Sequence, residues 1–266
     1  MGRQGGRGAM KLGISQPLFL PWLGFFDLLD TVDLFVALDN VQLTRSTFMV
    51  RNRLFSADHK VQWISASVSD CSLETPMNQA RLSHAKPWWE GLYARIQESY
   101  RGRPHWSALA QPLREWLRPG ENESVAAYNG RIILALCDLI GLEMSGRWQW
   151  ASQALADAPP PASGRDRVMA LCQGCHATAY YNFHRGVALG LHSPDDFARQ
   201  GMALYQQQYD HPTYPQGRPG GFTPYLSILD ALVCVGPLEV LPLIRRGRGW
   251  RLVPPSATAG EGEVGS

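Results

Sequence analysis

Residues Ile14–Asp27 read Ile-Ser-Gln-Pro-Leu-Phe-Leu-Pro-Trp-Leu-Gly-Phe-Phe-Asp, with two prolines and a lone amide in an otherwise apolar run. Lys11 to Gln16 has the apolar content of a short strand. Pro17 and Pro21 cannot continue it in a sheet, because each lacks a backbone N–H and restricts the residue before it, so they enforce an extended loop. Leu23, Phe26, Leu29 and Val32 then recur at helical spacing, and Asp33–Asp39 follows as a second strand. If the two strands run parallel in one sheet, Gln16 and Asp39 finish at its carboxyl edge, where open α/β folds hold ligands.

Outward from that junction, Val61–Val68 alternates as a third, half-buried strand. Pro87 suits the first turn of a helix carrying Trp88, Leu92, Ile96 and Tyr100, and residues 121–124 offer caps for a helix over Val125–Leu142, with Gly141 as its stop. After a Pro/Ala/Gly seam at 156–164 come a helix from Arg165, a strand near Thr178–Phe183 and a helix opened by Ser193-Pro194. A strand at Met202–Tyr209 and a buried helix from Pro224 to Val235, ended by Gly236-Pro237, complete the series. The predicted class is α/β, with a Rossmann-like open sheet in the N-terminal half, a helical middle segment and a second mixed α/β portion. The expected organisation is an N-terminal region over 10–155, a Pro-rich linker over 156–164 and a C-terminal region over 165–255 that completes the site. The Gly/Arg-rich residues 1–9 read as a disordered extension, or as an over-called start ahead of Met10, and 256–266 as a disordered tail.

A chain of 266 residues that is 45% apolar can bury a full core. Its 25 basic and 23 acidic residues leave a net charge of +2, which gives no sign of a nucleic-acid surface. No apolar run reaches the length of a membrane span and no export signal opens the chain, so the expected location is the cytoplasm. Five cysteines, an odd number, then read as reduced thiols. Cys172-Gln173-Gly174-Cys175-His176 has the spacing of covalent haem attachment, but that group is fitted after export. Packing of Leu171, Cys172 and Cys175 at a helix end is the preferred reading. The seven histidines show no ligand pair four residues apart, so no metal is expected.

Several polar side chains stand out against the apolar pattern. Gln16 can both donate and accept, Asp39 can accept a proton or orient an amine, and Gln42 follows three residues later. Arg51, Asn52 and Arg53 interrupt an apolar stretch, and two guanidiniums beside an amide suit a diphosphate-bearing ligand. In the distal part, Tyr214, Gln216, Ser227 and Asp230 are the corresponding candidates. Asp230 lies in an apolar helical run, three residues after Ser227 on the same face, and a carboxylate buried there needs a partner such as Arg53 or a helix-terminal amide.

The blocks Gln16–Asp27, Asp33–Gln42 and Arg51–Arg53, in this order and spacing, resemble the WbqC family of bacteria. Lys86–Tyr100 resembles that family's middle helix. Tyr214–Gln216, Phe222–Pro224 and Leu226–Gly236 resemble its closing block, so the similarity runs from about Met10 to Pro237. Val50, Asn40, Tyr225 and the stretch Tyr181-Asn182-Phe183 depart from the family pattern. The resemblance implies a transferase of O-antigen or other surface-polysaccharide assembly that adds a glycyl or other aminoacyl group to an amino sugar carried on a nucleotide or lipid. The acyl donor would be a thioester, an adenylate or a tRNA ester, and a carrier protein is a conceivable partner; no further cofactor is expected. In such chemistry Asp39 is the expected base, Gln16 and Asn52 supply donors to the developing oxyanion, and Asp230 joins the catalytic set. Trp22, Gln42, Arg51, Arg53, Tyr214, Gln216 and Ser227 contact substrate. Cys71 and Cys234 have no neighbouring histidine and are read as structural. Two alternatives stay open. One is a nucleotidylyltransferase-like enzyme, although the chain lacks the paired histidines of that motif. The other is a non-catalytic sugar- or carrier-binding module, for which Trp22, Trp63, Trp88, Trp89 and Trp106 offer stacking faces.

Overall fold

The computed structural model describes residues 9–69, 71–72, 74–184, 192–218 and 220–256; most of both expected tails lies outside them. Strand β1 (Lys11–Ser15) leads through the proline loop to helix α1 (Leu23–Thr31) and strand β2 (Leu34–Ala37). The two strands are parallel neighbours with Ser15 opposite Ala37, which brings Gln16 and Asp39 to one edge. Gly13 lets the helix lie close on the strand, since a Cβ there would stand 3.1 Å from Leu28 Cδ1.

Four more strands complete the sheet: β5 (Trp148–Trp150), β6 (Ala179–Asn182), β7 (Ala203–Gln207) and β8 (Trp250–Val253). The spatial order is β5-β2-β1-β6-β7-β8, parallel except for β8. Counted within the sheet this is the order 3-2-1-4-5-6 of a doubly wound fold. Both faces are covered. Leu12, Ile14 and Val36 pack with Val168 and Leu171 of α6 (Gly164–Gly174) and Phe197 of α7 (Pro194–Arg199). Phe35 and Ala37 point into the larger core. That core also holds α1, α2 (Trp88–Tyr100), α3 (Trp106–Leu117), α4 (Val125–Ile140), α8 (Ile228–Val235) and α9 (Pro237–Arg246). A short helix α5 (Ala151–Ala154) follows β5 directly.

Several elements differ from expectation: α3, β5, α5, α9, β8 and one strand of a separate ribbon are not read from the sequence, and the helix expected from Pro224 begins at Ile228. The predicted third strand exists as β4 (Val61–Ser65), but it pairs antiparallel with β3 (Arg51–Phe55) in a separate two-stranded ribbon. Pro237 opens α9 instead of merely following a stop, because proline at a first helical position loses no hydrogen bond. Within the expected linker, Ser163 caps α6 and Gly164 begins it, and the sheet takes strands from both sides of this segment. Among the described residues no helix is long and apolar enough to cross a membrane.

Candidate functional site

Strands β1 and β6 are neighbours whose onward connections run in opposite directions, the point at which an open α/β sheet leaves a crevice beyond its strand ends. A cleft of about 580 Å³ opens there. Ser15 and Gln16 enter from the end of β1, Asn182 and Phe183 from the end of β6, and Leu38 and Val41 from beyond β2. The opposite wall is the start of α6, with Ser163, Gly164, Arg165 and Arg167. Ser163 Oγ accepts from the Asp166 N–H at 3.1 Å, which fixes the helix start, and the positive end of α6 therefore belongs to the cleft.

The charges of this wall are unequal. Arg165 pairs with Asp196, which also receives Arg199 of its own helix. The Arg167 side chain makes no hydrogen bond or ion pair among the described residues, and its Nε is buried. His192 completes the lining, edge-on to Tyr180 at 5.3 Å between ring centroids and near Phe197 at 6.2 Å. Burial pushes its pKa down to about 4, so its imidazole is neutral at pH 7. A larger groove of about 690 Å³ lies between α2 and α3, lined by charged side chains such as Glu90, Arg114 and Arg118; of the residues singled out from sequence it holds Trp89, a stacking face of the sugar-binding alternative, and none of the expected catalytic or substrate-contacting residues of the transferase reading.

The phosphate cradle that a Rossmann fold usually builds after its first strand is closed in this chain. A Cβ on Gly24 would stand 2.1 Å from the Trp22 ring, so the indole lies directly over the first turn of α1. Pro21 offers no N–H, and Trp22 at the N-cap provides no side-chain bond.

Of the residues expected from sequence, Gln16 lines the cleft. Asp39 is buried beside it, and its oxygens are already engaged. Oδ1 accepts from the Ser152 N–H at 2.9 Å, and Oδ2 accepts from Ser152 Oγ at 2.5 Å and Asn78 Nδ2 at 3.4 Å. Gln42 is exposed and forms a backbone bridge with Pro76. The triplet does not share the cleft wall, because it is strand β3 and alternates. Asn52 points inward, fully buried, and donates to the Phe19 and Leu20 carbonyls, while Arg51 and Arg53 flank the Trp63 ring at 4.3 and 5.9 Å.

The distal residues form a second cluster. Asp230 accepts from Tyr100 Oη at 2.9 Å, Tyr214 Oη at 2.8 Å and Gln216 Nε2 at 3.0 Å; these three donors, rather than Arg53, are its partners. Desolvation still raises its pKa. Ser227 caps α8, its backbone N–H donates to the Arg53 carbonyl, and its strand-like bridge to Trp22 ties the cluster to the proline loop. Trp22 in turn packs edge-on against Tyr209 and Tyr225.

Sequence reasoning passed over Arg165, Arg167, Asn182 and His192. The signal for the first two was present in Ser163 followed by two arginines in one turn, which was read as a linker running into a helix. Cys172 is buried in the core and its thiol is pushed up to about 12 by burial, while Cys175 is half-buried and raised by the same cause. Among the described residues no group of three or more histidine, cysteine, aspartate or glutamate side chains is placed to hold a metal.

No solved structure matches the chain. An uncharacterized protein of Mycobacterium tuberculosis (strain H37Rv), Rv1507c, is 26% identical over 234 residues, which span 85% of this chain and 94% of that relative. The description of the WbqC-like protein family matches residues 16–241, a span that begins at the cleft-lining Gln16 and takes in the whole sheet apart from β1 and β8. By that match, carried through both the cleft and the Asp230 cluster, the chain belongs to the WbqC-like protein family.

Proposed function

We propose that this protein is a transferase of surface-polysaccharide assembly that places a glycyl or other aminoacyl group on a nucleotide-linked amino sugar bound in the cleft between β1 and β6. The observation that carries the reading is Arg167, whose guanidinium has no partner among the described residues and stands beside the positive end of α6 in an otherwise largely apolar cleft. A diphosphate satisfies both groups. Ile14, Leu38, Val168 and Tyr180 provide apolar walls for the rest of the ligand, and Gln16 and Asn182 provide amides to orient it.

Attack of the sugar amine on an activated acyl carbon gives a tetrahedral adduct whose nitrogen must lose a proton. Asp39 can accept it only by giving up a bond to Ser152 or Asn78. We therefore give that role to His192, neutral and in the cleft, and leave Asp39 to hold the start of α5 at the cleft edge. A base weakened by burial can serve here, because the ammonium of the adduct, attached to an oxygen-bearing carbon, is more acidic than the ammonium of the free amino sugar. Gln16, which lines the cleft, is the proposed donor to the oxyanion, and the Asp230 cluster braces the loop that follows it.

The test is to incubate the purified protein with UDP- or dTDP-linked amino sugars, candidate aminoacyl donors and ATP, and to follow the products by mass spectrometry. A gain of one aminoacyl residue on the sugar is expected. Release of pyrophosphate marks a nucleotidylyltransferase instead, and binding without a change in mass marks a sugar-binding module.

A further inference from the structure

The outward face of the β3–β4 ribbon is not used by the cleft. Alternation along the strands turns Arg51 and Arg53 to the same side as Val61 and Trp63, and Phe48 lies 5.7 Å from the Trp63 ring. Trp63 is 43% exposed and Phe48 37%. Tyr225, also exposed, joins this face through its carbonyl, which accepts from the Arg53 guanidinium at 3.1 Å. The other large hydrophobic side chains exposed among the described residues, Leu238 and Leu252, belong to α9 and β8. Neither arginine meets a carboxylate among the described residues, and the Nε of each is buried without a partner.

Tryptophan, tyrosine, phenylalanine and arginine on one small face have the composition of the energetic centre of a protein–protein interface. Two cations that meet no carboxylate among the described residues, set beside exposed rings, suit a partner that brings carboxylates. A second copy of the chain is not such a partner, because a two-fold contact through this face sets four uncompensated guanidiniums against one another. A nucleic acid fits poorly as well, since the chain carries a net charge of only +2 and the face also exposes the apolar Val61 and Phe48.

We propose that the ribbon face is a docking surface for an acidic carrier protein, the partner that delivers the acyl group as a thioester. The inference rests on the transferase reading above. The ribbon is tied to the loop that leads away from the cleft-lining Gln16, because Asn52 of β3 donates to the Phe19 and Leu20 carbonyls of that loop. Delivery then needs no covalent intermediate on this protein. The sugar nitrogen forms the new amide bond, the carrier thiolate leaves with the electron pair of the carbon–sulfur bond, and the ammonium proton passes to His192.

The experiment is titration of the full chain with purified glycyl-loaded acyl carrier protein at low and moderate salt, followed by calorimetry. Binding in the micromolar range that weakens as salt is raised is expected. Arg51→Glu should weaken it at least tenfold and Trp63→Ser to a similar extent. Trp63→Ser should leave binding of a UDP-linked amino sugar unchanged, which separates failure of this proposal from failure of the cleft assignment. Circular dichroism and thermal melting establish that each variant is folded. Absence of carrier binding at low salt, equal binding by folded variants, tighter binding of tRNA than of the carrier, or a dimer that Trp63→Ser dissociates would each overturn the proposal.

Discussion

The buried amide of Asn52 donates both of its N–H groups to successive carbonyls of the proline loop, to Phe19 at 3.0 Å and to Leu20 at 2.7 Å. Leu20 holds a left-handed backbone, φ 45°, while fully buried, a conformation that costs a branched side chain about 1 kcal/mol or more. The clamp is what keeps it there. From α4, Asn129 performs the same service for the carbonyls of Pro17 and Met49. Asn52→Leu removes both donors and leaves two buried carbonyls unpaired, so denaturant unfolding should show a loss of about 2–4 kcal/mol. A loss below about 1 kcal/mol means that water reaches the loop and that its shape is set elsewhere.

Asp39 and His192 are separable by kinetics. His192→Gln keeps a polar ring-sized group and removes the proton acceptor, so kcat should fall about 100-fold or more with KM little changed. Asp39→Asn retains one acceptor oxygen facing Ser152, so it should cost about 1–2 kcal/mol of stability and less than tenfold in rate. The reverse ranking restores Asp39 as the base.

Arg167 is the handle for binding. Charge-assisted hydrogen bonds to phosphate are worth roughly 1.5–3 kcal/mol, which predicts that Arg167→Ala weakens a UDP-linked amino sugar by about 10- to 150-fold. Arg167→Lys should recover part of the loss, as a point charge without the fork geometry. Arg165→Ala should matter less, because that guanidinium is already occupied by Asp196. Equal effects from the two substitutions would remove the phosphate from the start of α6.

Much of this was legible in the chain. The prolines fixed the end of β1, and helical spacing from Leu23 fixed α1. Side-chain capping by Ser124 and the left-handed Gly141 bound α4 as predicted. What escaped was decided by tertiary partners. β5 is three residues long and is a strand only because β2 lies beside it. Arg51-Asn52-Arg53 reads only as a polar triplet between apolar neighbours, because a strand with one buried amide and two outward cations lacks the usual apolar alternation. The donors of Asp230 come from positions 14 to 130 residues away, so no local pattern could name Tyr100. Asp39 was read as free chemistry because Ser152, its main partner, lies 113 residues along the chain.

Acid sensitivity follows from His192. Its pKa in the folded protein, about 4, is below the ordinary 6.5, so between these values the unfolded chain binds the extra proton. Stability is therefore full above about pH 6.5 and is lost as the pH falls towards 4. The loss amounts to roughly 2 kcal/mol once partial exposure is allowed for. His211 is shifted down by burial and adds to the loss. Asp27 and Asp230, raised by burial, bind protons more readily when folded and oppose it. Comparison of wild type with His192→Gln isolates the imidazole, since the other groups titrate in both. Thermal melts at intervals from pH 7 to pH 4 should show a shallower fall for the variant. Parallel curves would mean that His192 is hydrated in the folded state and carries its proton there as it does in the unfolded chain.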